Sequence, residues 1–280
     1  MDAEEAFQIL AELGDDPEYL EKQSQRHDPL YEDLIRRARI LPGSRVLELG
    51  VGTGIMAVKL AQRIGSEGRI YGIDVNPRML EVAGNKKRKL GLSSLEFREM
   101  RMEQLQFPDN RFDHVISNFG VCCAFNYERT LGEAYRVLRP RGKLTYNHEG
   151  LRETEASKAI GQTLSKYKTK NPSRRLRRKR QAAALQSKMI GDYKDPFEAL
   201  SKMRTIGFRN SEASIASLTL VFRTIREYMD YQLSESIEYA EMSPERQGKF
   251  ARDCSAKLKK LLTSDGLVDE GEVVFFSGYK

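Results

Sequence analysis

The stretch Val46-Leu47-Glu48-Leu49-Gly50-Val51-Gly52-Thr53-Gly54 decides the fold. It reads as a buried strand, Arg45–Leu49, running into a glycine loop, with a helix over Ile55–Arg63 closed by Gly65. Glycines at such a turn let the chain bend tightly and let a ligand lie on bare backbone, while the helix start offers unpaired N–H groups. Twenty residues beyond Gly54, Asp74 ends a second strand, Arg69–Asp74, where a carboxylate can accept two hydrogen bonds from ribose hydroxyls. The ligand is therefore expected to be a nucleoside. Gly52-Thr53-Gly54-Ile55-Met56-Ala57 also fits the dinucleotide pattern, so NAD stands as a candidate on this stretch alone.

Working outward, strands and helices alternate. Asn76 caps a helix that opens at Pro77 and runs to about Leu90. Leu95–Glu99 and Phe112–Ser117 read as strands, Glu128–Leu138 as a helix, and Lys143–Asn147 as a fifth strand after the turn Pro140-Arg141-Gly142. Strands separated by single helices predict an α/β, doubly wound, mostly parallel sheet. Residues 152–190 read as long helices broken near Asn171-Pro172, followed by a helix over Asp195–Ile206 and a strand over Ala213–Val221. A second helical insert ends in a helix capped by Ser243-Pro244, with Phe250, Cys254, Leu258 and Leu261 in one stripe; Gly271–Tyr279 is the last strand. The expected organisation is a helical cap (1–41), a nucleoside-binding core (42–150), a basic insert (151–194), a core helix and strand (195–222), a lid insert (223–268) and a final strand (269–280).

The loop does not stand alone. Glu48-x-Gly50-x-Gly52-x-Gly54 resembles the first motif of class I S-adenosylmethionine-dependent methyltransferases, whose acidic residue precedes the first glycine by two. Phe107-Pro108-Asp109-Asn110-Arg111-Phe112-Asp113 resembles the approach to their fourth strand, and Tyr135-Arg136-Val137-Leu138-Arg139-Pro140-Arg141-Gly142 the helix and turn before their fifth. The likeness covers residues 42–149 and is nearest the ubiquinone/menaquinone-biosynthesis-like branch, which acts on small molecules. It implies a Rossmann-like seven-stranded sheet under a helical lid, with Ala213–Val221 and Gly271–Tyr279 as the antiparallel pair.

The resemblance further implies S-adenosylmethionine as cofactor, with Glu48, Gly50, Val51, Gly52 and Thr53 forming its loop. Gly50 and Gly52 would lie under the methionine moiety, Asp74 would hold the ribose, and Val75 and Met79 would flank the adenine. Arg101 and Met102 would line the adenine edge, and Asn118 would stand near the reactive methyl. Two positions depart from the pattern. Arg101 occupies a place where an acidic residue is common and cannot accept a hydrogen bond from the adenine amino group. Arg141 replaces a common glycine.

Transfer of a methyl group needs alignment above all, and a base only where the nucleophile holds its proton. His148, just past strand five, is the expected base, with Glu149 beside it as an alternative or an orienting partner. His27, in the N-terminal cap, is expected to face solvent, with contact to substrate as the alternative, and His114 to be structural. Cys122 and Cys123 are expected to be small buried hydrophobes; three cysteines match neither a disulfide framework nor a zinc spacing, so no metal is expected. Phe222, Tyr228, Met229 and Tyr231 are expected to form lid core.

The 280-residue chain carries 47 basic and 40 acidic residues, a net charge of +7. Eleven of the basic residues fall between Lys158 and Lys188 with no acidic one, which leaves 36 against 40 elsewhere. This segment would attract an anionic substrate, an acidic carrier protein or a membrane surface. Nucleic acid is the weaker fit, because aromatics beside it are confined to Tyr167 and Tyr193 and strand four ends in Ser117-Asn118-Phe119-Gly120. No run of 18 apolar residues occurs and the acidic N-terminus has no apolar core, so a cytoplasmic protein is expected. The function expected is methylation at O or C of a small, partly apolar metabolite. RNA or protein methylation docked through 158–188, and a non-catalytic S-adenosylmethionine-binding regulator, remain as alternatives.

Overall fold

The computed structural model describes residues 1–13, 16–24, 26–190, 195–234 and 236–280. Tyr193 and the end of the basic insert at 194 lie outside the described residues. Three helices open the chain: α1 (Ala3–Glu12), α2 (Pro17–Ser24) and α3 (Asp28–Ala38). The alternating core follows as β1 (Arg45–Leu49), α4 (Ile55–Ile64), β2 (Arg69–Asp74), α5 (Pro77–Lys89), β3 (Leu95–Glu99), β4 (Phe112–Asn118), α6 (Tyr127–Val137) and β5 (Leu138–Glu149). Then come α7 (Glu155–Lys166), α8 (Arg174–Ile190), α9 (Pro196–Ile206), β6 (Arg209–Phe222), α10 (Ile225–Leu233), α11 (Ile237–Ala240), α12 (Pro244–Leu258), a two-residue β7 (Leu262–Thr263) and β8 (Gly266–Tyr279).

The sheet runs β3-β2-β1-β4-β5-β8-β6, with β7 on the flank of β8, so it has eight strands where seven were expected. β1 to β5 are parallel; β8 is antiparallel to both β5 and β6. Val46, Leu47, Glu48 and Leu49 are all buried, as a central strand covered on both faces requires. One face packs Leu47, Tyr146 and Phe276 under α6 and α9. The other packs Val46, Ile116 and Phe275 under α3 and α4.

The local signals set the boundaries. Asn76 caps α5 by accepting the Arg78 N–H at 3.0 Å, ahead of Pro77 in the first turn. Arg141 adopts a left-handed φ of 66°, the conformation that explains a glycine there in similar chains. Three strands are longer than the sequence reading. β5 already pairs at Leu138 with Phe112, β6 starts at Arg209 rather than Ala213, and β8 starts at Gly266 rather than Gly271. β6 and β8 thus pair over their whole lengths and run past the core as a ribbon.

That ribbon carries the lid. Phe222 and Leu267 at its end pack with Ala156 and Ile160 of α7, Tyr228 and Met229 of α10, and Phe250, Cys254 and Leu258 of α12. A smaller cluster joins Ala6 and Ile9 of α1 to Ala182 of α8 and to Phe125. The basic helix α8 is therefore partly spent on internal packing. Lys179 donates to the Leu13 carbonyl, Arg178 pairs with Glu5 and Arg180 with Glu238.

Candidate functional site: the carboxyl edge of the sheet

The loop after β1 is set by close backbone approach. Gly50, Gly52 and Gly54 all have positive φ, at 68°, 53° and 79°. A Cβ on Gly50 would stand 2.9 Å from the Cα of Gly120, and one on Gly120 would stand 2.5 Å from the Leu49 carbonyl oxygen. The loops after β1 and β4 therefore touch through bare main chain. Ser117 pins them, its hydroxyl donating to the Leu49 carbonyl at 2.7 Å and accepting the Val121 N–H at 3.1 Å.

Two carboxylates lie beneath this loop. Asp74 accepts the Gly52 N–H and the Asn76 N–H, each at 2.9 Å, which orients it across the loop. Glu48 is 3% exposed, and its Oε2 has no hydrogen-bond partner among the described residues. Burial, and then the charge of Asp74, push the Glu48 carboxyl well above the usual carboxylate range. A buried acid beside a second acid is costly unless a cation or donor arrives. A ligand with an ammonium or sulfonium group would supply one, so these residues fit a cationic nucleoside cofactor better than the anionic pyrophosphate of a dinucleotide.

The other positions expected to meet the cofactor are distributed around the loop. Val51 is buried, its N–H donating to the Ile73 carbonyl at 2.8 Å, and Thr53 has a buried Oγ1 without a partner among the described residues. Val75 is half-buried and Met79 buried, beyond Asp74. The Met102 methyl lies 3.9 Å from the Cβ position of Gly50. Arg101 instead turns to the N-terminal cap, pairing with Glu4 and stacking 3.8 Å over the Phe7 ring. Asn118 Oδ1 accepts from Asn147 Nδ2, while Asn147 Oδ1 accepts the Phe119 N–H, both at 2.9 Å. Phe119 is held in a left-handed φ of 54°.

Phe119 also walls a cavity of about 500 Å³ shared with His27, Glu149, Leu218, Leu220, Tyr231, Asp269, Gly271 and Val273. His27 faces this cavity rather than open solvent. Its Nε2 lies 3.2 Å from the Tyr231 hydroxyl, and burial, then Arg26, lower its pKa, which favours the neutral imidazole. Tyr231 lines the same space, whereas Phe222, Tyr228 and Met229 sit in the lid core. Leu20 of α2 reaches to 3.7 Å from the Cβ position of Gly52, so the cap overlies the loop.

His148 is a correction. It is 1% exposed, its Nδ1 lies 2.7 Å from the Glu149 carbonyl, and its ring packs 4.9 Å from that of Phe276. Successive strand residues face opposite sides, so Glu149 lines the cavity, Asn147 shares its face, and His148 turns under the other face with Tyr146. His114 is at the opposite strand end and is pushed down to about 4 by burial. Cys122 is half-buried, but Cys123 is exposed, against the expectation of two buried thiols. The sequence reading favours solvent for His27 and lid core for Tyr231 over a place at the substrate, since both arrive on elements outside the core.

Fold and loop together define a nucleoside-binding α/β domain with its ligand edge under a helical cap. A family model described as a methyltransferase domain matches residues 40–203. The chain is 37% identical over 118 residues to demethylmenaquinone methyltransferase of Geobacillus kaustophilus, covering 42% of this chain and 50% of that protein. The corresponding Oceanobacillus iheyensis protein is 33% identical over 120 residues, covering 43% and 50%. The chain thus matches about half the length of these relatives. Among solved structures, YcgJ of Bacillus subtilis shares the fold at a TM-score of 0.61 and 15% identity, over 91% of this chain and 99% of that one. Phosphoethanolamine N-methyltransferase 2 of Haemonchus contortus, solved with S-adenosyl-L-methionine, does so at 0.56 and 17%, over 90% and 52%. The chain belongs to the class I S-adenosylmethionine-dependent methyltransferase family.

Proposed function

We propose that this chain transfers a methyl group from S-adenosylmethionine to O or C of a small, partly apolar acceptor held between Phe119, Tyr231, Leu218, Leu220 and Val273. When bound, the cofactor supplies a sulfonium methyl, whose carbon takes an electron pair from the acceptor as its bond to sulfur breaks and leaves a thioether. Asp74 holds the ribose, Glu48 faces the cationic end, and Gly50, Val51, Gly52 and Thr53 form the bed. Val75, Met79 and Met102 flank the adenine, and Asn118 stands near the methyl. Arg101 serves this site indirectly, by holding α1 in place.

The observation that carries the reading is Phe119. It follows Asn118, precedes the glycine that touches Gly50, and walls the acceptor cavity. One side chain thus joins the cofactor end to the acceptor space, as a direct in-line transfer demands. Glu149, on the cavity face, replaces His148 as the group to take a proton from the acceptor. The test is methyl transfer from labelled cofactor to a panel of small acceptors. Glu149→Gln is expected to lower turnover by about a hundredfold with cofactor affinity unchanged; wild-type turnover in that variant would remove Glu149 from the chemistry.

The basic surface supports a docking role for an anionic partner, as carrier protein or membrane surface. Lys166, Lys168, Lys170, Arg174, Arg175 and Arg177 are exposed there. Nucleic acid is the weaker partner, since Tyr167 beside them is tied to Asp253 at 2.8 Å rather than free to stack on a base. Three free thiols support a cytoplasmic setting.

A further inference from the structure

The acceptor cavity is an elongated trench on one face of the β5–β8–β6 ribbon. Register places Glu149 beside Val273, Leu218 beside Gly271, and Leu220 beside Asp269. From Val273 to Asp269 is four residues of strand, about 13 Å at the usual rise. The floor between is apolar or bare: Val273, Gly271, Leu218 and Leu220. A carboxylate stands at each end.

The distal carboxylate is unusual. Asp269 is 7% exposed, it lines the cavity beside the buried Tyr228 hydroxyl, and its Oδ1 has no hydrogen-bond partner among the described residues. A buried carboxylate oxygen left without a hydrogen bond costs free energy that a matching donor or cation would recover. The remaining charges on the lining reinforce the sign. Glu153 and Glu272 add two carboxylates, against Arg152 as the one cationic side chain of permanent charge among the lining residues. A trench lined in this way concentrates cations and repels anions.

We infer that the acceptor carries a positively charged nitrogen, an ammonium or guanidinium, at the end of an apolar body, and that Asp269 binds it while the methylated end lies beside Phe119 and Glu149. This rests on the methyl-transfer reading above and names its substrate class. It also separates the two surfaces of the molecule: the trench selects cations, whereas the basic face around Arg174 lies elsewhere on the chain.

The test uses three probes with one apolar body, phenylpentylamine, phenylpentanol and phenylpentanoate, titrated calorimetrically into the full chain with S-adenosylhomocysteine present. The amine is expected to bind about tenfold tighter than the alcohol, and the acid more weakly than either. Asp269→Asn, of the same shape, is expected to abolish the preference for the amine while S-adenosylhomocysteine binding stays unchanged. Equal binding of amine and alcohol, a preference that survives Asp269→Asn, or no binding of any probe beside a bound S-adenosylhomocysteine would overturn the inference. Should Asp269→Asn fail to fold, the order of the three probes on the wild-type chain decides. Failure of S-adenosylhomocysteine itself to bind would instead break the methyl-transfer reading, and the inference with it.

Discussion

The glycine-loop end of the core and the lid above it are built on different principles. At the loop, Gly50 meets Gly120 and Gly54 meets Ala83, each so closely that a Cβ would stand 2.9 Å from its neighbour. Little can vary there without moving backbone. The cap and lid are held by side chains that reach across solvent-facing seams. Arg26 pairs with Glu227, donates to the Val221 carbonyl at 2.9 Å and stacks 4.5 Å over Phe222. Tyr19 donates to the Tyr231 carbonyl at 3.0 Å, and Lys86 pairs with Glu21 at 2.5 Å. The contrast is between a loop fixed by backbone geometry and a cap and lid held together by side-chain contacts.

The sharpest way to break that contrast is Gly50→Ala. With φ at 68° and Gly120 in the way, the substitution is expected to cost about 1–3 kcal/mol of stability. It should also abolish cofactor binding. Chemical denaturation and calorimetry would read both, and a variant as stable as wild type would show that the close approach is dispensable.

A second test concerns charge at the bed. Because the folded state raises the Glu48 pKa, the proton it holds stabilises the ligand-free fold. That contribution is complete below the ordinary glutamate range and is lost as pH rises toward the raised value. The melting temperature of ligand-free protein should therefore decline over this window, and Glu48→Gln should flatten the decline. Identical pH profiles for the two proteins would contradict the account.

The smallest effect belongs to the seam. Arg26→Ala is expected to cost about 0.5–2 kcal/mol, the range of a part-exposed ion pair with a cation–π contact. Hydrogen exchange should quicken in α2 and α10 and remain unchanged in β1 and β2. Uniform quickening would mean that cap and core open together.

Legibility followed the same division. The bed could be read because its constraints are backbone constraints with sequence signatures: glycines at fixed spacing, Asn76 before Pro77, and an acid at the end of β2. The alternation of strands and helices and the helix breaks came with them. The acceptor chamber could not be read in the same way. Strand alternation says that Asn147 and His148 face opposite sides, but the sequence does not say which side holds the ligand, and His148, expected on the ligand side, is buried against Phe276. His27 and Tyr231 are brought together from positions 204 residues apart by folding of the cap onto α10. The length of β6 and β8 was hidden because their outer halves, with Thr219, Glu270 and Glu272, lack a continuous apolar pattern.

The central claim is that the loop between β1 and α4, with Asp74, binds S-adenosylmethionine. Calorimetric titration of wild-type chain and Asp74→Ala with S-adenosylhomocysteine and with NAD tests it most directly. The account predicts saturable one-to-one binding of S-adenosylhomocysteine to wild type, its strong weakening in Asp74→Ala, and no binding of NAD. Binding of NAD in its place, or an Asp74→Ala affinity equal to wild type, would contradict it.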